Sequence, residues 1–427
     1  MNPDEQRIPI DQIRVGLFIR LEVWMDHPFL FSSFKIRNEK QIKALRSLGL
    51  TEILYVPGKS DVAPLPPDKV ETPIAVPTQE IDPEIAAMWQ EKKERREKIT
   101  QQREAYGRCE KQFVGSITSV KGMLRNLFAR PQESIKQAQS LIVGLVDSLL
   151  SEKDVLLHLM NAKNGDDGAY YHALNVTMLA LMLGRESGLN AAEMCDLGLG
   201  TLLHDLGKER VPSQILLKKT PWTTAERNFY QQHVVYGMEL AEKLPALPDG
   251  AREVIEQHHE MLDGAGFPLG LAGGRIGKLA CIAAIANAFD NACNRVNPAD
   301  SLTPSQALSV MFKRDRAKYD AAFMQQFVRC LGVYPPGSIV RLNNDSIALV
   351  VNVNPGKLLQ PTLLLYDATV PKEEALMLNL ADETDLSVVS TLRPAQLPKV
   401  VFDYLSPRSR ISYFSETTKP TQPNRRP

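Results

Sequence analysis

Residues 191–208 read AAEMCDLGLGTLLHDLGK, and residues 250–268 read GAREVIEQHHEMLDGAGFP. Each stretch carries a helical pattern of apolar residues that runs into a histidine paired with a second metal-competent or titratable neighbour, and then into glycine. Adjacent side chains on a helix point about 100° apart. His204–Asp205 and His258–His259 therefore face one point only where a helix ends or distorts, and Gly207, Gly264, Gly266 and Pro268 supply such ends. Working outward, residues 134–331 read helical almost throughout: VDSLLSEKDVLLHLM (146–160), ALNVTMLALMLGRESG (173–188) and VVYGMELAEKL (234–244), with no strand-like run of useful length. This predicts a mainly α protein whose central domain, residues 134–333, is an all-α bundle of ordinary single-domain size.

The flanks differ. Residues 1–60 predict a small N-terminal α+β module: IPIDQIRVGLFIRLEV alternates like strands, Asn38 caps a helix over 40–48 in which Ile42, Leu45 and Leu48 share a face, and TEILYVP reads as a strand. Asp26 and His27 in WMDHP read as turn residues. Residues 61–83, with six prolines, read as a linker. Residues 84–133 read as a long helical connector in which EKKERREK (91–98) forms a solvated face and Trp89, Ile99, Tyr106 and Phe113 a buried stripe. From Tyr334 to residue 405, SIVRL, SIALVVNVN and PTLLLYDA are short β runs, and residues 406–427 read as a disordered tail.

Composition narrows the function. Fifty basic and fifty acidic residues leave no net charge, which removes any overall pull toward DNA, RNA or anionic lipid. Five scattered cysteines with no CxxC pair fit a reducing compartment. The N-terminus lacks a signal-peptide pattern, and LACIAAIANAF (279–289) is shorter than the ~18 apolar residues a membrane span needs. The expectation is a soluble cytoplasmic protein with no membrane span.

Six of the seven histidines lie between residues 158 and 259. Imidazole is the commonest metal ligand, and a carboxylate beside it can bridge two cations, so His172, His204, Asp205, His233, His258 and His259 form a candidate metal set. These residues, with HDLGK (204–208) and HHEMLDGAGFPLGLAGGRI (258–276), resemble the HD-GYP family of metal-dependent cyclic di-GMP phosphodiesterases, whose HHExxDGxGYP string is matched with Phe267 in place of tyrosine. Residues 8–56 resemble the small domain of unknown function that often precedes HD-GYP domains in bacteria.

The resemblance implies a binuclear site of two divalent transition-metal ions, iron or manganese. His172, His204 and Asp205 would hold one ion, with Asp205 bridging to a second on His233, His258 and His259. A hydroxide shared by the ions would attack phosphorus, giving linear pGpG, with further hydrolysis to GMP left open. Asp205 and Lys208 are then the catalytic residues, Lys208 meeting a phosphate oxygen as a point charge. Glu260 is expected to orient a ligand histidine, Asp263 to hold the loop by side-chain bonds to backbone, and Gly264, Gly266, Phe267 and Pro268 to border substrate. Asn287 stands where the family has a further aspartate ligand and would bind the first ion through its carbonyl oxygen; Asp290 stands at the family's second, non-ligating aspartate. Arg295 alone represents the family's basic substrate segment, and Gly168 replaces the glutamate of three-metal members. Two readings follow: an enzyme that hydrolyses cyclic di-GMP, or a catalytically weak module that senses cyclic di-GMP or contacts a GGDEF-type synthase or another signalling protein. A homodimer through residues 84–130 is left open.

Overall fold

In the computed structural model, the described residues are 5–21, 27–29, 32–66, 83–151, 157–161, 168–354, 356–368, 370–372, 375–383, 385–405 and 411–415. The chain divides into two compact units, residues 1–103 with 367–375, and residues 104–366 with 376–427.

In the first unit, β1 (Gln6–Pro9), β2 (Phe18–Arg20), β3 (Ser33–Lys35) and β4 (Glu52–Tyr55) form an antiparallel sheet in the order β1-β4-β2-β3, with helix α1 (Glu39–Ser47) between β3 and β4. Asn38 caps α1 by accepting from the Gln41 amide at 3.0 Å, and α1 buries Ile42, Ala44 and Leu45 among Leu17, Ile19, Leu21 and Ile53. His27 is more than a turn residue. It is buried, its Nδ1 accepts from the Phe29 amide at 3.2 Å, and its carbonyl accepts from Lys92. Asp26 and most of the expected linker (67–82) lie outside the described residues.

Helix α2 (Pro83–Asn126) runs from the first unit into the second. Phe113 is buried as expected, and with Cys109, Ile117, Val120, Met123 and, just past the helix end, Leu127 it forms one buried stripe at three- and four-residue spacing in the main core. Trp89, expected in a buried stripe, is 39% exposed, and the side chains of Ile99 and Tyr106 lie outside the description.

The second unit is mainly helical. α3 (Pro131–Ser151) leads to a strand, β5 (Leu157–Asn161), then α4 (Gly168–Glu186), α5 (Ala191–Leu203), α6 (Ser213–Leu216), α7 (Thr224–Gln231), α8 (His233–Ala241), α9 (Asp249–Gln257), α10 (Lys278–Cys293), α11 (Pro304–Lys313) and α12 (Ala321–Leu331). Helix α4 is the axis of the bundle, buried without interruption from Tyr171 to Gly184, as a helix apolar on every side must be. Small residues let its neighbours close in. A Cβ on Gly198 would stand 2.5 Å from Ile142, and one on Gly200 would stand 2.6 Å from Val254.

After the bundle, β6 (Ile339–Leu342), β7 (Ile347–Asn352), β8 (Thr362–Leu365), β9 (Met377–Asn379) and β10 (Val388–Leu392) form an antiparallel sheet in the order β10-β6-β7-β8-β9, followed by α13 (Lys399–Leu405). Two expectations need correction. The expected run of helix through LLHLM is broken by β5, and the expected disordered tail contains a strand, β11 (Ile411–Ser415), which pairs antiparallel with β5, Tyr413 opposite Leu159. Residues 406–410 and 416–427 lie outside the described residues. Among the described residues no helix is long and apolar enough to cross a membrane.

Candidate metal centre

Each adjacent pair sits where a helix stops. Helix α5 starts on a capping box between Asn190 and Glu193 and ends with His204 as its C-cap. Asp205 then takes φ −96°, ψ 13° and opens a short 3-10 turn, Leu206–Arg210, which swings its carboxylate to the side His204 faces. His258 is likewise the C-cap of α9 with His259 one step beyond, and His233 is the first residue of α8. His172 comes from the buried face of α4. Gly207 fixes the spacing of two of these elements: a Cβ there would lie 1.9 Å from the His233 carbonyl oxygen and 2.4 Å from the Gly237 nitrogen.

The side chains divide into two groups around one carboxylate. His172 Nε2 and His204 Nε2 lie 3.2 and 3.4 Å from Asp205 Oδ2, while His233 Nε2 and His258 Nε2 lie 3.6 and 3.9 Å from Oδ1. Metal-competent atoms of His172, His204 and Asp205 lie within 4.8 Å of one another, as do those of Asp205, His233, His258 and His259.

Backbone carbonyls and one carboxylate set the tautomers. His204 Nδ1 donates to the Thr201 carbonyl at 2.6 Å, His233 Nδ1 to Tyr230 at 2.6 Å, and His258 Nδ1 to Ile255 at 3.0 Å. A carbonyl only accepts, so each Nδ1 carries the hydrogen and each Nε2 turns a lone pair inward. His172 Nδ1 faces Asp290 Oδ2, which leaves its Nε2 3.2 Å from His204 Nε2. Two lone pairs at that separation repel unless a proton or cation sits between them. Asp205 Oδ1 and the Nε2 atoms of His233, His258 and His259 are buried with no hydrogen-bond partner. Such orphans carry a desolvation cost that coordination removes, so the donor set fits divalent cations.

The electrostatics agree. Burial holds His204 down at about 4 and pulls His233, His258 and His259 below the ordinary imidazole value, so these rings are neutral ligands at pH 7. Burial also pulls His172 down, but Asp290 and Asp205 outweigh it and raise it. Burial would lift Asp205, yet His204, Lys208 and His172 hold it well below the usual carboxylate range. Lys208 Nζ lies 2.5 Å from Asp205 Oδ2 and over the Tyr230 ring, 5.4 Å from its centroid.

The glycine-rich loop borders the second group. Phe267 stacks on His259 with centroids 4.4 Å apart and meets His233 edge-on. Gly264 has φ +77°, and a Cβ on Gly266 would stand 2.5 Å from the Glu260 Cα, so the loop folds back on α9's end only with glycine there. Asp263 Oδ1 accepts from the Ala265 amide at 3.0 Å, and Pro268 follows Phe267.

Glu260 requires correction. Its two oxygens accept instead from the Leu269 and Leu271 amides at 2.7 and 2.8 Å, stapling the loop. The carboxylate that orients a site histidine is Asp290, 118 residues from His172 in sequence. Asn287 is buried one turn before Asp290, and its Oδ1 accepts from Asn291 at 2.6 Å. Arg295 is exposed, its amide donating to Ser301 Oγ.

Comparison with known proteins places this architecture in a class. Residues 128–323 match the HD domain (HD_5), and residues 5–138 match DUF3391, a domain of unknown function. The chain thus carries an HD domain behind a DUF3391 domain. Cyclic di-GMP phosphodiesterase PA4108 of Pseudomonas aeruginosa is 26% identical over 389 residues, 89% of this chain and 90% of that one. Cyclic di-GMP phosphodiesterase PdeB of Borreliella burgdorferi is 27% identical over 183 residues, 43% of this chain and 48% of that protein. Among solved structures, Bd1817, a HDG"Y"P protein from Bdellovibrio bacteriovorus, is 16% identical with a TM-score of 0.43, covering 76% of this chain and 98% of that one.

Proposed function

We propose that the chain is a metal-dependent phosphodiesterase that hydrolyses cyclic di-GMP to linear pGpG. The observation that carries this is the sharing of Asp205: one carboxylate presents Oδ2 to His172 and His204 and Oδ1 to His233 and His258. In this reading the first three residues hold one divalent cation, and Asp205, His233, His258 and His259 hold a second. When bound, the pair supplies Lewis-acid charge to phosphoryl oxygens and makes hydroxide available near neutral pH. Mixed imidazole and carboxylate donors suit iron or manganese. Lys208, kept protonated by Asp205 and Tyr230 against its burial, adds a point charge for a non-bridging oxygen. The loop, held by Glu260 at Leu269 and Leu271, carries Phe267 stacked on His259.

Asn287 motivates a second reading, a binding module with little turnover whose loop contacts a synthase or other signalling protein. Its oxygen is neutral and already accepts from Asn291, and a neutral oxygen holds a hard cation less strongly than carboxylate does. Purification without oxygen, with cyclic di-GMP followed by chromatography under added Mn²⁺ or Fe²⁺, separates the two. Linear product is expected; its absence at saturating metal overturns the enzymatic reading.

A further inference from the structure

We propose that the C-terminal strand β11 is a positioning element of the His172 metal group: the Tyr413 amide, acting through Asn175 and Asp290, fixes the ring of His172, so docking of the strand and cation binding at that group are coupled. The inference rests on the metal reading above.

The bonds form one chain of fixed polarity. Tyr413 N donates to Asn175 Oδ1 at 2.7 Å, Asn175 Nδ2 donates to Asp290 Oδ1, and Asp290 Oδ2 faces His172 Nδ1. A backbone N–H only donates, so it determines which end of the Asn175 carboxamide faces β11. The NH₂ end must then face Asp290. An ionised carboxylate only accepts, so Asp290 takes its hydrogen from His172 Nδ1, leaving Nε2 as a lone pair 3.2 Å from Asp205 Oδ2. Reversing the Asn175 amide would set its oxygen against the Asp290 carboxylate. A backbone group 238 residues beyond Asn175 therefore orients the carboxamide that braces Asp290, and through it the ring of a proposed metal ligand.

Burial makes the chain rigid. Asn175, Asp290 and Tyr413 are each 1% exposed or less, where polar groups left unpaired are costly. The strand is also anchored beside the site. The Tyr413 hydroxyl donates to the Pro336 carbonyl at 3.0 Å, its ring lies flat against Phe289, which precedes Asp290, and Phe414 packs edge-on against Phe113. Asn294 Nδ2 also donates to Asp290 Oδ1, at 2.7 Å, so Asp290 stays in place while Asn175 and β11 set its hydrogen bonding.

The test is a calorimetric Mn²⁺ titration of the metal-stripped full chain, with amide hydrogen exchange of residues 411–415. Wild type is expected to bind two ions and to slow exchange in β11 when loaded, because coupling between two sites is reciprocal. Asn175→Leu, which removes both bonds, is expected to weaken one ion about 10–100-fold and leave the other unchanged. Asn175→Asp keeps the acceptor for Tyr413 but sets like charge against Asp290; with its melting temperature retained, it is expected to show the same selective loss, and it decides the matter if Asn175→Leu fails to fold. Two ions bound at wild-type affinity by folded Asn175→Asp, or β11 exchange unmoved by Mn²⁺ that does bind, overturns the coupling alone. A wild-type chain that binds no Mn²⁺ overturns the metal reading and this inference with it.

Discussion

Replacing Gly207 with alanine tests the packing that brings the His204–Asp205 turn to His233. The added methyl would stand 1.9 Å from the His233 carbonyl oxygen and 2.4 Å from the Gly237 nitrogen, both backbone atoms that no rotamer change can move aside. Reaching the 3.4 Å at which ordinary contact begins requires α8 to retreat by about 1.5 Å. His233 rides on the first residue of α8, and metal sites tolerate only about 0.2 Å in ligand distance, so the second cation group should open. Overpacking of this kind costs about 1–3 kcal/mol, and a backbone-on-backbone clash belongs at the upper end. At roughly 1.5 °C per kcal/mol for a unit this large, the melting temperature should fall by roughly 3–5 °C. Gly115→Ala is the control, since nothing lies within 4 Å of its added carbon and helical alanine is favoured over glycine. Melting followed by circular dichroism, with metal content measured on the same samples, reads both effects. Gly207→Ala melting within about 1 °C of wild type with full metal content would refute the packing argument.

Two further perturbations act away from the ligands. Glu260→Gln replaces one of two acceptors with a donor facing a backbone N–H, so hydrogen exchange across residues 261–272 should quicken while metal content is kept; unchanged exchange would show that the loop needs no staple. His27, held at about 4 by burial and by Lys92, binds its proton later than in the unfolded chain, where the value is 6.5. Its share of stability is present above pH 6.5 and lost as pH falls toward about 4, so the melting advantage of wild type over His27→Asn should shrink between pH 7 and pH 5. Parallel melting curves across that range would contradict it.

The mainly α fold and the clustering of metal-competent residues were legible because both are local. Helix periodicity and terminating glycines lie within a few residues of His204–Asp205 and His258–His259, and helix ends are where adjacent side chains converge. What escaped reading depends on distant partners. LLHLM is an apolar run that periodicity assigns equally to a buried helix or strand, and its strand state is decided by β11, some 250 residues away. Sequence separation also hid the partition of carboxylates: Glu260 adjoins His259 in sequence yet binds the loop, whereas Asp290, 118 residues from His172, meets it across the bundle. The stripe from Cys109 to Leu127 was obscured by the charged run preceding it on the same helix.

Metal analysis of the chain purified without oxygen, beside Asp205→Ala prepared identically, tests the shared carboxylate most directly. The account predicts two ions per wild-type chain and loss of both in the variant, since each histidine group gives up its only carboxylate oxygen. Metal content left unchanged by Asp205→Ala would contradict it.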